Sequence, residues 1–586
     1  VSRAETEIAV DRQWWKEAVV YQIYPKSFAD TDGDGIGDLR GIERHADYLE
    51  SLGVDAVWLS PVYDSPQVDN GYDIADYRSI YDVYGDLDDW QRVLDALHER
   101  DIRLVMDLVV NHTSDEHEWF RRSRRREGKY EDYYIWRDGD GDGPPNNWDS
   151  IFGGPAWTYD EERGQWYLHL FDERQPDLNW RNEDVREEVK EMMEWWLEKG
   201  IDGFRMDVIN LISKAEGLPD GNPGWGLTGA EHFFNGPNVH EYIRELYDDV
   251  LSDGELLLVG ETPGAGVEDA RRYVGPDGDG LSMVFQFEHV NFDHDEHKWD
   301  AGDWSLVDFK EVLAKWQVGL ADDGWNSLYL NNHDQPRMVS RFGDDGEYRR
   351  KSAKLLGTLT HTLQGTPFVY QGEELGMTNS AWESPGELRD VEALNFVEYA
   401  LEHGDADSYD DVRDAVEYVA RDNARTPMQW DDSAHAGFTD GDPWIKCNSN
   451  YETVNVEAER ADEDSVWHYY RELIDLRHER DLLVYGDFDL LVPEDPSIFA
   501  YTRTLGDERG LVVLNFDDEP VGFEVPGGVD LDGLELAIAN DDAPTVLRES
   551  FKLGPYEARV YLVDPHSDAE RTRTAESTET DDERYE

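Results

Sequence analysis

Apolar positions recur along the chain in two alternating rhythms. Short runs rich in β-branched, aromatic and other apolar residues fall at 19–24, 56–59, 104–110, 203–207, 256–260, 283–287, 327–330 and 367–370. Each predicts a buried strand. Between most of them apolar residues return every three or four positions. Leu39, Ile42, Ala46, Leu49 and Leu52 form one such series and 90–97 lies in another, and both predict helices that pack by one face. Eight buried strands alternating with helices predict an α/β fold whose parallel sheet closes into a (β/α)8 TIM barrel.

Two interruptions divide that barrel. Residues 111–180 are irregular and rich in Gly, Asp, Trp and Tyr. That is too long for a simple loop and predicts a small domain inserted after the third strand, over the barrel mouth. The barrel is then split into 1–110 and 181–490. Short β runs at 497–503, 511–516 and 558–563 predict a C-terminal β-sandwich over 491–566. From 567 to 586 apolar residues nearly vanish, and this acidic tail is expected to be disordered.

Composition narrows the partners. The 586 residues carry 54 Lys and Arg against 132 Asp and Glu, a formal charge of −78. Such a charge repels nucleic acid and anionic membranes, and no apolar run approaches the ~18 residues of a membrane span. The first ten residues lack the basic-then-apolar layout of a secretory signal. One cysteine, Cys447, excludes an intrachain disulfide framework and a Cys-based zinc finger. The acidity is spread along the whole chain and Lys is scarce, 13 against 41 Arg. That pattern predicts a protein of a salt-rich cytoplasm in an extreme halophile, because at molar salt the Debye length falls to about 3 Å and self-repulsion is screened.

Chemistry in such barrels sits where strands end. Four predicted strand ends carry polar clusters: 107–112 (DLVVNH), 203–207 (GFRMD), 260–262 (GET) and 331–334 (NNHD). A lone strand-end Asp is as often a helix cap. The four in this order resemble the ordered motifs of the α-amylase family of glycoside hydrolases. Further strings, 69–77 (DNGYDIADY), 175–180 (QPDLNW), 203–214 (GFRMDVINLISK) and 421–430 (RDNARTPMQW), resemble its oligo-1,6-glucosidase and α-glucosidase branch. The resemblance implies a barrel, an inserted B domain, a C-terminal β domain and release of single glucose units from non-reducing ends of short oligosaccharides.

The motif match implies roles. Retaining cleavage of a glycosidic bond needs a carboxylate nucleophile and a carboxylic acid that protonates the leaving oxygen. By resemblance these are Asp207 and Glu261, with Asp334 holding sugar hydroxyls. Nearby Asp207 and Asp334 are expected to keep Glu261 protonated, and Arg205, two residues before Asp207 on the same strand face, to keep Asp207 ionised. His112 and His333 match histidines that bond the sugar in the pocket. Asp69 and Tyr72 match the pair that closes it, Asp69 being locked by an arginine; Arg421 matches that arginine, with Arg425 as the alternative. Gln175, Phe152 and Phe171 are expected at the entrance or, for the aromatics, in the inserted domain's core. Val208, beside the nucleophile, borders the aglycone, and Val there accompanies α-1,6 activity in the family.

Residues 30–38 (DTDGDGIGD) set Asp30, Asp32, Asp34 and Asp38 at alternating positions around the Ile36 carbonyl. They resemble the start of a Ca²⁺ loop, and the family branch implies a structural Ca²⁺ there; a plain acidic turn is the alternative. Asp138, Asp140 and Asp142 are a looser copy expected to be a solvated loop. The function expected is an exo-acting, retaining α-glucosidase acting on small oligosaccharides, with transglucosylation open and oligomeric state undetermined. Alternatives are a sucrose isomerase or trehalose-converting enzyme of the same fold, a trehalose-6-phosphate hydrolase, and a non-catalytic amylase-like partner protein. The last would lack the catalytic carboxylates.

Overall fold

A computed structural model describes residues 10–563 except 142, 224–226, 276–277, 295–297, 301 and 303. The chain start, Asp142 and the tail from 567 lie outside the described residues.

Eight strands form the central sheet: β1 Val20–Ile23, β2 Ala56–Leu59, β3 Arg103–Val109, β4 Gly203–Asp207, β5 Leu257–Glu261, β6 Met283–Phe285, β7 Ser327–Leu328 and β8 Thr366–Tyr370. Each neighbouring pair is parallel, and β8 returns to pair with β1. One parallel bridge, Val284 to Asn326, closes the ring between β6 and β7. Alternation along each strand decides what faces the interior. Val20, Trp58, Val105, Val259 and Phe285 share one interior cluster, whereas Tyr21, Val57, Leu104, Met206 and Leu258 pack outward under the helices. The same parity places Gln22, Asp107, Arg205, Asp207 and Glu261 on the inward face toward the C-terminal rim.

Three strands are shorter than the sequence predicts, β1 by one residue at each end and β6 and β7 at their C-terminal ends. After β6, the Gln286 side-chain oxygen Oε1 accepts the Glu288 N–H at 2.7 Å and the chain turns into a short helix. After β7, the Tyr329 carbonyl lies 2.6 Å from His289 Nε2 instead of joining a ladder. The single helix face expected from Leu39 to Leu52 is two helices, Leu39–Arg44 and Ala46–Leu52. They break at His45, whose ring stacks on Trp430 at 3.6 Å, yet all five apolar residues remain buried. The helix Leu87–His98 begins at Asp86 in a capping box with Asp89.

Between β3 and β4 a three-stranded antiparallel sheet forms, with Gln165–Leu168 between Trp136–Arg137 and Trp157–Asp160. Phe120, Trp136 and Tyr167 pack beneath it at centroid distances of 5.2–5.4 Å. Buried Lys214, just past β4, joins it to the barrel through Asp177 at 2.5 Å and Asn111 at 2.7 Å.

Beyond the barrel a five-stranded antiparallel sheet starts at Asp487–Leu490, four residues before the expected position, and faces the pair Val521–Glu524 and Ser550–Leu553. Ile498, Val513, Phe523, Leu553 and Tyr561 from both sheets share one core. Buried Lys310, on the barrel helix Leu306–Leu320, donates to the carbonyls of Val492, Asp495 and Ile498 at 2.6–3.0 Å and so ties this domain down. Among the described residues no helix is long and apolar enough to cross a membrane.

Candidate active site

Arg205 organises the rim. Its Nη1 donates to Asp207 Oδ1 at 2.7 Å and Asp107 Oδ1 at 3.0 Å, and its Nη2 donates to Glu261 Oε2 at 2.5 Å. The guanidinium lies 5.0 Å from the Trp58 ring centre. None of these four charged side chains is more than a tenth exposed. Burial pushes the Asp207 carboxyl well above the usual carboxylate range, with Glu261 and Asp107 adding and Arg205 opposing. Arg205 pulls Asp207 toward its ionised form, as expected, but this one cation is divided among three carboxylates.

Asp334 behaves in the opposite way. Burial favours its neutral form, but His333 at 2.9 Å, Arg425 at 2.8 Å and Arg421 at 3.3 Å outweigh it and hold the carboxyl well below the ordinary range. The His333 ring stacks parallel to Tyr72 at 5.2 Å, and its Nδ1 is 2.8 Å from the Gln22 amide. Tyr72 donates to Asp107 at 3.1 Å. Burial pushes His112 down to about 4, so near neutral pH it is an uncharged hydrogen-bonding ring, 3.3 Å from Gln175 Nε2.

The closing pair is resolved by distance. Arg421 Nη2 reaches Asp69 Oδ1 at 3.5 Å, whereas Arg425 bonds Asp334 and the His333 carbonyl. Gln175 donates to Asp69 Oδ2 at 3.2 Å. Burial raises Asp69 to about 7 against the pull of Arg421 and Arg425. Phe152 and Phe171 meet edge to face at 5.4 Å, Phe171 lies 4.9 Å from His112, and the Arg421 guanidinium lies 5.0 Å from Phe152. Both aromatics belong to the inserted domain's apolar cluster, which Val208 also joins.

Three residues escaped the sequence reading. Asp107 is the first residue of the DLVVNH string, and its parity with the barrel interior was the available signal. Gln22 shares that parity on β1. Asp390 looks like an ordinary helix cap, and it does accept the Glu392 N–H at 3.0 Å. It also grips Arg421 through Nε at 2.8 Å and Nη2 at 2.7 Å, and nothing local in sequence marks that second contact.

In the 30–38 loop, carboxylate oxygens of Asp30, Asp32 and Asp38 lie within 4.8 Å of one another. This all-oxygen set suits a hard cation. Asp34 is not within that distance of all three, and its carboxylate accepts the Ile36 N–H at 2.8 Å. Asp138 and Asp140 are exposed, as expected of a solvated loop.

Comparison with known proteins places this constellation. The α-amylase catalytic domain matches residues 22–486, and the maltogenic amylase C-terminal domain matches 488–560. The oligo-1,6-glucosidase of Parageobacillus thermoglucosidasius is 54% identical, over 94% of this chain and all of its own. The crystal structure of Bacillus licheniformis trehalose-6-phosphate hydrolase is 46% identical at a TM-score of 0.89, and that of isomaltulose synthase from Klebsiella sp. LX3 is 44% identical at 0.91. They cover 94% and 95% of this chain and all of their own. With its closed barrel, its inserted sheet and its rim of carboxylates around one arginine, the chain belongs to the α-amylase family and is a glycoside hydrolase.

Proposed function

We propose that this glycoside hydrolase is an exo-acting, retaining α-glucosidase that removes glucose from the non-reducing ends of short α-1,6-linked and, to a lesser degree, α-1,4-linked oligosaccharides. The observation that carries this reading is the Arg421–Asp69 contact beside the Arg205 fork. A buried Arg421–Asp69 contact beside the reacting carboxylates would bar chain extension beyond the first sugar. The name of the 54% identical oligo-1,6-glucosidase supports the linkage, as does Val208 after the nucleophile.

In this mechanism Asp207 attacks the anomeric carbon while Glu261 gives its proton to the glycosidic oxygen, and the sugar–oxygen bond breaks. Water then attacks the glycosyl ester, Glu261 takes its proton, and Asp207 is released. Held on one guanidinium fork, the two carboxyls are expected at the retaining separation of about 5–5.5 Å. Asp334, with His333 and His112, holds ring hydroxyls as the sugar flattens. Tyr72 supplies the stacking face, and Asp69 takes the terminal hydroxyl.

Two further proposals concern surroundings. Asp30, Asp32 and Asp38 would hold a structural Ca²⁺ against the loop 30–38, and the acidic surface suits a salt-rich cytoplasm. A hydrolysis panel of isomaltose, maltose, sucrose, trehalose and trehalose 6-phosphate in molar KCl tests the function. Glucose released fastest from isomaltose is expected. Preference for trehalose 6-phosphate, or rearrangement of sucrose without hydrolysis, would replace this reading.

A further inference from the structure

Val208, directly after the proposed nucleophile, has φ 36° and ψ 41°. A β-branched residue in the left-handed region is a genuine outlier and persists only where its surroundings over-determine it. Bonds on either side of its Cα supply that determination. Its N–H donates to Glu261 Oε2 at 3.1 Å, and its carbonyl accepts the Leu211 N–H at 2.9 Å. The chain must present an amide to Glu261 and, one Cα later, turn into the short helix Ile209–Leu211. Packing against the cluster of Phe152, Phe171 and Leu211 holds the side chain in place.

The consequence lies on Glu261. Arg205 Nη2 and the Val208 N–H both donate to the same oxygen, Oε2. No protein donor among the described residues reaches Oε1, and the side chain is a tenth exposed. An oxygen facing two donors, one of them cationic, is disfavoured as the site of a proton.

We propose that the strained turn at Val208, together with Arg205, assigns the two oxygens of Glu261 different duties: Oε2 is a fixed anchor and Oε1 carries the catalytic proton. Val208 is thus a positioning residue acting through its backbone, apart from any effect of its side chain on linkage. In the first step the Oε1 proton passes to the glycosidic oxygen as the C1–oxygen bond breaks and Asp207 bonds to C1. In the second, the attacking water returns a proton to Oε1. This assignment rests on Glu261 being the acid/base.

The test is to replace Val208 by its α-hydroxy analogue, which keeps the side chain and removes only the N–H. Values of kcat/KM are then measured on isomaltose and on an aryl α-glucoside whose leaving group needs no protonation. The expected result is a loss of about 10- to 100-fold on isomaltose with the activated substrate within about 3-fold of wild type. Equal losses on both substrates, or none, would overturn the proposal. Glu261→Gln separates the two layers. If it shows the same substrate split while the ester does not, only the role of Val208 fails; if it shows none, the acid/base reading fails as well. Neutron diffraction of the wild type gives a check independent of variant folding: a deuteron on Oε1 supports the assignment, and one on Oε2 contradicts it.

Discussion

Asp390→Asn is the sharpest perturbation of the pocket that leaves every proposed reacting group in place. Asp390 is fully buried, and its Oδ1 accepts from Arg421 Nε, Arg421 Nη2 and the Glu392 N–H, while Oδ2 accepts the Arg421 N–H at 3.2 Å. An asparagine retains one acceptor but loses the charge, and its amide would confront the Arg421 N–H. Stranding one partner of a buried ion pair costs about 3–5 kcal/mol. Arg421 keeps Asp69 at 3.5 Å and Asp334 at 3.3 Å, so about 2–4 kcal/mol is expected here. Burial opposes ionisation of Asp390, but Arg421, Arg425 and Lys298 hold its carboxyl well below the ordinary range. Its contribution is therefore complete above about pH 4 and fades as the pH falls toward the depressed value. The gap between wild type and variant should stay constant from about pH 7 to about pH 4 and narrow below about pH 4. Because Arg421 also aligns Asp69 and Asp334, a displacement of about 1 Å should lower kcat/KM on isomaltose by roughly 100-fold. Urea unfolding at fixed KCl and steady-state kinetics read the two effects. A variant within about 0.5 kcal/mol of wild type and equally active would refute the reasoning.

Other perturbations follow from the same geometry. Asp69, raised to about 7 by burial, contributes stability that is full below its unfolded value of about 4 and is lost as pH rises through 7; relative to wild type, Asp69→Asn should be more stable at about pH 8 than at pH 5 in urea melts, and should lose the exo pocket's activity at both. Val208→Thr should move kcat/KM preference from isomaltose toward maltose by about 10-fold or more; a wild type that favours maltose and an unmoved variant would defeat the linkage reading. Melting temperature should fall as KCl is diluted, since the −78 charge loses its screening, and a flat profile would contradict the salt-rich setting. Chelation of Ca²⁺ should lower the melting temperature, and Asp30→Ala should abolish that response.

The barrel was legible because its strands are buried on both faces and read as apolar runs, and parity alone then orients Asp207, Arg205 and Glu261. What sequence concealed was sharing. Arg205 was legible as a partner of Asp207, two residues away on its strand, but its bonds to Asp107 and Glu261 come from β3 and β5, brought beside β4 only by closure of the sheet. The choice between Arg421 and Arg425 likewise depended on which way a short helix turns its residues, settled by a 3.5 Å distance to Asp69. Asp390 was invisible because a helix cap and a buried ion-pair partner look the same in a string of letters. The break at His45 went unread because apolar spacing survives a kink that keeps the same residues buried.

The central claim is that Asp207 forms a covalent glycosyl ester. Incubation with a 5-fluoro-α-glucosyl fluoride, followed by protease digestion and mass spectrometry, tests it most directly. One glucosyl label on the peptide carrying GFRMD, located on Asp207 and absent from Asp207→Asn, is the predicted result; a label on any other residue, or turnover of isomaltose by Asp207→Asn at the wild-type rate, would contradict it.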